Sequence, residues 1–212
     1  MAACARLPKA PTPLGAYVPV GEATFAALAA RTVPSAAQVI HFRWRYDDGD
    51  RVASGRGAAR LAPPDSLRLD IAVPVVGRAT LVVAGDSSWS EPDRTVAEVP
   101  QSREILWALF GIVQRPEPGT RIERGEAADR TLYRLTAPDG GVTLLECRGD
   151  TLLGGTQLRG ERLTGRLVLT RNTAGALVRV DAADVAHGAR FVVQVEDRET
   201  SEPFPAEIWR RP

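Results

Sequence analysis

The sequence predicts a mainly β protein: a single curved antiparallel sheet of about ten to eleven strands, covered by two or more helices. Three observations carry this. Apolar and polar residues alternate with period two along most of the chain. Turn signals recur at short intervals, which suits hairpins and a meander rather than strand–helix–strand units. Only two stretches show helical spacing. A sheet of that size tends to curl or close on itself.

Composition bounds the reading further. A chain of 212 residues is long enough to bury a substantial core without disulfides. Its formal net charge is +1, with 25% charged residues of both signs interspersed. Nucleic acid is therefore excluded as the main partner, because phosphate binding needs a basic surplus. Lys9 is the only lysine among 27 basic residues. With the many alanines this points to a high-GC genome, so arginine usage alone is no sign of recognition. No run of 18 or more apolar residues exists to form a membrane-spanning helix.

The chain opens Met1-Ala2-Ala3-Cys4. A cysteine directly after two alanines is how a mature bacterial lipoprotein begins, so Cys4 is expected to be a lipid attachment site and Met1–Ala3 the end of a lipobox. The plain alternative is three small residues in an alanine-rich chain. Pro8, Pro11, Pro13 and Pro19 keep the next segment extended. Residues 1–20 thus read as lipobox remnant and tether, and residues 21–212 as the folded domain. Cys147 falls in an apolar strand, so a disulfide to Cys4 is not expected.

The domain begins with a helix from Glu22 to Arg31. Phe25, Leu28 and Ala29 share one face, and the two end charges suit the helix dipole. From Gln38 the period becomes two: Ile40, Phe42, Trp44 and Tyr46 alternate with His41, Arg43 and Arg45. Asp47-Asp48-Gly49-Asp50 turns the chain, because Asp-Gly accepts the positive φ of a tight reversal. Residues 51–60 return, with Gly55 and Gly57 on one face, where small residues allow curvature or close approach. Leu67, Leu69, Ile71 and Val73 form the next strand, Pro74–Gly77 a loop with two apolar side chains, and Arg78–Ala84 and Ser87–Ser90 two more strands. A strongly apolar helix is predicted over Arg103–Val113, with Ser102 as N-cap. Leu106, Trp107 and Phe110 belong to its broad apolar face, which must be covered by protein or by ligand. Further strand candidates lie near 120–125, 131–137, 142–148, 151–159, 163–171, 176–181, 190–197 and 206–210.

Catalytic chemistry is thin, and the chain is not expected to be an enzyme. His41 sits on the polar face of its strand and His187 precedes a turn glycine. Asp184 and His187 have a helix-face spacing, but a lone pair makes a poor metal site. Gly55-Arg56-Gly57-Ala58-Ala59-Arg60 lacks the last glycine and the following helix of a dinucleotide fingerprint. Ser87 and Ser88 lack a nucleophile elbow. No cofactor and no metal are expected.

The inward faces, read by alternation, are led by Phe42, Trp44, Leu67, Leu69, Ile71, Leu81, Val83, Tyr133, Leu135, Leu167, Leu169, Phe191 and Val193. A one-residue slip in register would invert any of these entries. With aromatics at 6% and small inward residues such as Ala53 and Ala79, a sheet so lined either leaves a cavity or packs dry around the helix.

Several stretches resemble the LolA/LolB-like outer-membrane lipoprotein carriers and receptors. They are Trp44-Arg45-Tyr46 through the Asp-Gly turn, Gly55–Leu61, Pro64–Asp70, Pro74–Gly77 with Leu81-Val82-Val83, and Ala108-Leu109-Phe110-Gly111. In element order the resemblance covers most of residues 22–212. It implies an unclosed β-barrel whose apolar interior holds the acyl chains of lipoproteins or lipids. Leu106, Trp107 and Phe110 would complete the cavity formed by the inward residues above. In the receptor branch the protein is itself anchored by its N-terminal cysteine, a role that falls on Cys4. An exposed apolar loop used against the membrane corresponds to Val75 and Val76, two valines where a larger tip is expected.

The resemblance thus implies a monomeric, periplasm-facing lipoprotein of the outer membrane in the bacterial envelope. Its partners would be acyl chains, the membrane through Cys4, and a periplasmic carrier protein. A structural or envelope-sensing lipoprotein with a collapsed core of the same fold is the alternative, and an exported hydrolase a third reading.

Overall fold

The computed structural model describes residues 9–73, 77–85, 87–92 and 103–211. Cys4, Ser102, Val75 and Val76, and with them the expected lipid anchor, helix N-cap and membrane-contact loop, lie outside the described residues. Strands take 56% of the chain and helices 11%, so the β class holds.

The strands are β1 (Val18–Pro19), β2 (Gln38–Asp47), β3 (Val52–Ala62), β4 (Ser66–Val73), β5 (Gly77–Ala84), β6 (Ser87–Glu91) and β7 (Arg121–Ala127). They continue as β8 (Arg130–Thr136), β9 (Gly141–Arg148), β10 (Thr151–Arg159), β11 (Arg162–Arg171), β12 (Leu177–Asp184) and β13 (Ala189–Thr200). The helices are α1 (Glu22–Thr32) and α2 (Arg103–Ala108). Among the described residues the sheet has thirteen strands, which corrects the expected ten to eleven. Short candidates such as 87–90 pair as full strands, and Val18–Pro19 adds one from the proline-rich segment. The candidate at 206–210 is instead a 3-10 turn, Ala206–Trp209.

All strand pairs are antiparallel, and the sheet is not closed into a barrel. Its order is β1-β7-β8-β9-β10-β11-β12-β13-β2-β3-β4-β5-β6. Two meanders, β2 to β6 and β7 to β13, are therefore joined edge to edge by the pairing of β13 with β2. The chain must pass from β6, at one edge of the sheet, to β7, near the other. The segment that makes this passage carries α2, and from Ile105 to Gln114 every side chain and glycine in it is buried.

The inner face is built from the predicted alternation. Ile40, Phe42 and Trp44 of β2 are buried while His41, Arg43 and Arg45 are exposed. Phe42 lies opposite Gly57 and Trp44 opposite Gly55. Both rings cover the neighbouring glycine: a Cβ on Gly57 would stand 2.4 Å from Phe42 Cζ, and one on Gly55 would stand 3.0 Å from Trp44 Nε1 and 2.3 Å from the Ala72 carbonyl oxygen. The close approach read from the two glycines is thus made by the chain's own aromatics.

The outer face is held by ionic knots. The Asp70 carboxylate accepts hydrogen bonds from Arg68, Arg60 and Thr80. Asp181 accepts from Arg179 and Arg190. Glu146, buried on β9, accepts from Arg130 at 3.1 Å and from Arg166, which also donates to the Gly155 carbonyl and the Thr156 hydroxyl. A buried ion pair is tolerable only when its remaining donors and acceptors are used in this way.

Both ends of the described chain lie against this outer face. Tyr17 sits beside Gly125 of β7, with the Arg134 guanidinium 5.7 Å from its ring centre. Arg68 donates to the Ile208 carbonyl, and Trp89 Nε1 donates to the Trp209 carbonyl at 2.9 Å.

Two outcomes follow from this packing. Gly55→Ala must displace backbone at Ala72 and is expected to cost about 1–3 kcal/mol in chemical denaturation. Gly15→Ala, with nothing within 4 Å of its Cβ, should be close to neutral. Burial acts to raise the Asp70 pKa, but the bonds from Arg68 and Thr80 and the charges of Arg68 and Arg60 outweigh it, and the group titrates below its usual value of 3.8. Its stabilisation is present above the unfolded pKa and is lost as pH falls through the folded one. Asp70→Asn should cost about 1–3 kcal/mol at pH 7, and its stability should vary less than that of the parent below pH 4, measured by denaturant titration.

Candidate functional site

The sheet's inner face is one continuous apolar cluster. Phe42, Trp44, Leu67, Leu69, Ile71, Val83, Leu106, Trp107, Phe110, Tyr133, Leu135, Leu167, Leu169 and Val193 are all buried in it, and Leu81 and Phe191 pack half-buried against it. Every side chain expected to line the interior therefore lies in a single cluster. Aromatic pairs link the two meanders to each other and the sheet to the helical segments. Phe42 and Phe110 have ring centres 6.1 Å apart, Trp44 stacks on Phe191 at 6.1 Å, and Phe25 of α1 meets Tyr133 edge-on at 5.5 Å.

The α2 segment occupies this interior. Trp107, Ala108 and Leu109 are at most 1% exposed, and Ile105 reaches toward Gly155 of β10. The expected helix over Arg103–Val113 is shorter than its apolar pattern, ending at Ala108. Gly111, at φ +79°, stops it: its N–H bonds to the Ala108 carbonyl and the Ile112 N–H to the Trp107 carbonyl. These two bonds make a Schellman cap, with Gly at the left-handed position and Ile112 turned back toward Trp107. The glycine in Ala108-Leu109-Phe110-Gly111 was the signal for this stop, but apolar residues on both sides of it mask the break. Beyond the cap, Val113 N–H donates to the Thr32 hydroxyl at 2.8 Å, tying the segment to the end of α1.

Two indole nitrogens, Trp44 Nε1 and Trp107 Nε1, are buried in the interior without a hydrogen-bond partner. Cys147, on β9, is fully buried in the same apolar cluster, and burial, with Glu146 and Asp150 adding to it, pushes its thiol up to about 12. The thiolate needed for nucleophilic or metal chemistry is thereby suppressed.

Where the apolar interior meets the ends of α1 and α2, a polar cleft of about 280 Å³ opens. Arg31, Thr32, Gln38, Phe110, Gly111, Ile112, Asp150, Arg171 and Arg198 line it. Sequence reading missed its two principal cations. Strict alternation along β13 continues Phe191, Val193 and Val195 to Asp197, leaving Arg198 outside. The register instead shifts between Val195 and Asp197, so that Arg198 pairs with the fully buried Ile40 and donates to the Phe110 carbonyl at 3.3 Å. A bulge inserts one residue and reverses the faces beyond it, and no residue type announces it here.

His41 is exposed on β2, and His187 is exposed in the turn before β13, where its Nδ1 lies 2.7 Å from Asp184. Among the described residues no group of three or more His, Cys, Asp or Glu could hold a metal ion, and no helix is long and apolar enough to cross a membrane.

No family model and no curated protein matches the sequence. The fold does match solved structures. A LolA superfamily protein of Nitrosomonas europaea superposes with a TM-score of 0.62 at 15% identity, covering 91% of this chain and 98% of that one. A DUF1329 family protein of Desulfovibrio piger gives 0.60 at 11% identity, with the same coverage of 91% and 98%. A Vibrio parahaemolyticus domain named for outer membrane lipoprotein sorting gives 0.54 at 7%, covering 89% and 95%. The open sheet wrapped on an apolar segment is thus a divergent LolA-like fold, as the resemblance in sequence implied.

The buried thiol supplies a direct check on the interior. In a Cys4→Ser variant, Cys147 should resist aromatic disulfide reagents at pH 8.5 in the native state and react fully in guanidinium. Rapid native modification would mean that the interior opens far more readily than its packing implies.

Proposed function

We propose that this protein is a lipoprotein of the bacterial envelope that binds acyl chains between its sheet and the α2 segment and passes them on. The observation that carries the reading is the inner face itself. An unclosed sheet presents one continuous apolar surface, and among the described residues it is covered by α1 and by the short apolar α2 segment. Displacing that segment exposes a surface that only another apolar chain can cover. Each methylene withdrawn from water contributes about 0.8 kcal/mol, so an ordinary acyl chain offers on the order of 10 kcal/mol before ordering costs. Re-covering the face by Trp107, Leu109 and Phe110 on release offsets much of that, which keeps a carrier from holding too tightly.

The names of the LolA superfamily and lipoprotein-sorting neighbours support a place in the periplasm or envelope. In this reading Cys4 carries the lipid anchor at the outer membrane, the chain before Leu14 acts as tether, the rest as the carrying domain that β1 joins, and Val75 and Val76 meet the membrane. An acyl chain admitted beside α2 would lie among the sixteen apolar residues expected to line the interior. A periplasmic carrier is the expected protein partner, and no catalytic step is required.

A second reading has one observation in its favour. The α2 segment fills the interior so closely that the same fold serves equally as a dry structural or sensing domain. A fluorescent fatty-acyl probe separates the two. The carrier reading expects saturable binding that Phe110→Asp lowers at least tenfold with circular dichroism unchanged. Trp107→Ala should lose about 3–5 kcal/mol of stability while keeping or gaining probe affinity. A parent protein that binds no probe and yields no lipid in native mass spectrometry would favour the dry domain.

A further inference from the structure

We infer that the cleft formed by Arg171, Arg198 and Gln38, at the rim of the apolar interior, is an oxyanion site that takes the charged head of an amphiphile whose chain enters beside α2. The second half of this statement rests on the acyl-binding reading, and the first half does not.

The geometry begins with an excess of unspent donors. Three arginines face the cleft against one carboxylate. Asp150 is already matched, accepting from Arg31 Nε at 2.6 Å. Among the described residues neither Arg171 nor Arg198 meets a carboxylate. Arg171 Nη1 donates to the Gly175 carbonyl at 3.0 Å, and its Nε is buried with no partner. Arg198, exposed along the strand, spends one bond on the Phe110 carbonyl. A guanidinium has five donor N–H groups in a planar fork, so most remain available on both residues. Gln38 contributes a buried amide oxygen that also lacks a partner, and rotation of the amide would present its NH₂ group to an acceptor.

Electrostatics agree with the geometry. Burial lowers the pKa of Arg171, and burial together with the charge of Arg171 lowers that of Arg198. Both guanidinium groups stay charged near neutral pH. Two like charges held together in partial burial raise each other's energy, and a bound anion relieves both. The free forks match the paired oxygens of a phosphate or carboxylate.

Placement supplies the ligand class. Phe110, Gly111 and Ile112 form part of the same cleft wall, so it shares its lining with the segment that fills the interior. Its volume, about 280 Å³, falls below the usual span for whole drug-sized ligands and suits a head group rather than an entire lipid. A charged head held here would leave its chain pointing along Phe110 into the apolar cluster.

The test uses the full chain and three probes: inorganic phosphate, dodecyl phosphate below its micellar concentration, and uncharged dodecanol, titrated calorimetrically at low salt. The parent protein is expected to bind dodecyl phosphate at least tenfold more tightly than dodecanol. In Arg171→Gln/Arg198→Gln that preference should vanish while dodecanol affinity stays the same, and Arg171→Lys/Arg198→Lys should keep part of it. Arg159→Gln, exposed at the end of β10, should change nothing.

If inorganic phosphate binds as tightly as dodecyl phosphate in an arginine-dependent way, and dodecanol does not bind, the oxyanion site stands and the acyl reading falls. If dodecanol and dodecyl phosphate bind equally, or the double Gln variant keeps the preference with its fold intact by circular dichroism, the site is overturned and the acyl reading survives. Binding of none of the three overturns both.

Discussion

The packing of the α2 segment against the sheet's inner face is the contact on which the molecule depends. An open antiparallel sheet this wide has an apolar surface that it cannot cover by closing on itself. Topology resolves the problem, because the link between β6 and β7 must cross from one edge of the sheet toward the other, and its described residues 105–114 lie buried on that surface. The same crossing explains why the segment is apolar on all sides, which a surface helix would not be. Its far end is fixed three times, by the Gly111 cap, by the bond from Val113 to Thr32 and by Arg198 on the Phe110 carbonyl. Any rearrangement that uncovers the interior must therefore involve the end of α1 and the rim of β13 as well.

The outer face follows an opposite logic. Arginines meet acids both along a strand, as Arg68 and Asp70, and across strands, as Arg166 and Glu146, and the knots at Asp70, Asp181 and Glu146 hold neighbouring strands in register. Exposed pairs of this kind contribute little individually. The knots differ because each carboxylate accepts from two or more donors and is partly withdrawn from water. The described ends of the chain add cover where this ladder alone would leave Leu132 and Val82 facing solvent.

Much of this was legible in the residues. Period-two alternation placed β2, β4 and β5 and their inward faces, since a half-buried strand leaves no other way to hide Phe42 or Leu69. Helical spacing placed α1 to within a residue. The pair Gly55 and Gly57 signalled a close approach, and Phe42 and Trp44 supply it from the facing strand. What stayed hidden were features that depend on partners distant in sequence. Val18–Pro19 reads as tether until β7 offers a ladder. The strand read at 206–210 has alternation, but its residues pack across the outer face against Arg68 and Trp89 instead of pairing at a sheet edge, so it becomes a turn. Arg198 looks like an outward residue because alternation cannot see a bulge. The rim cleft, built from α1, β2, β11 and β13, therefore could not be assembled from local pattern at all.

The pairing of β13 with β2 carries a consequence for how the molecule forms. The last described strand in chain order, β13, lies in the middle of the sheet, bonded to β2, one of the first. Until residues near 200 are available, the chain holds two separate meanders, each with a long unpaired edge. Loop closure over some 150 residues must precede the reward of that ladder, and non-local pairing of this kind is slow. The order of synthesis thus keeps the nascent chain from closing early. It also makes the C-terminal strand the commitment step, after which the interior, its covering segment and the rim arginines come into being together.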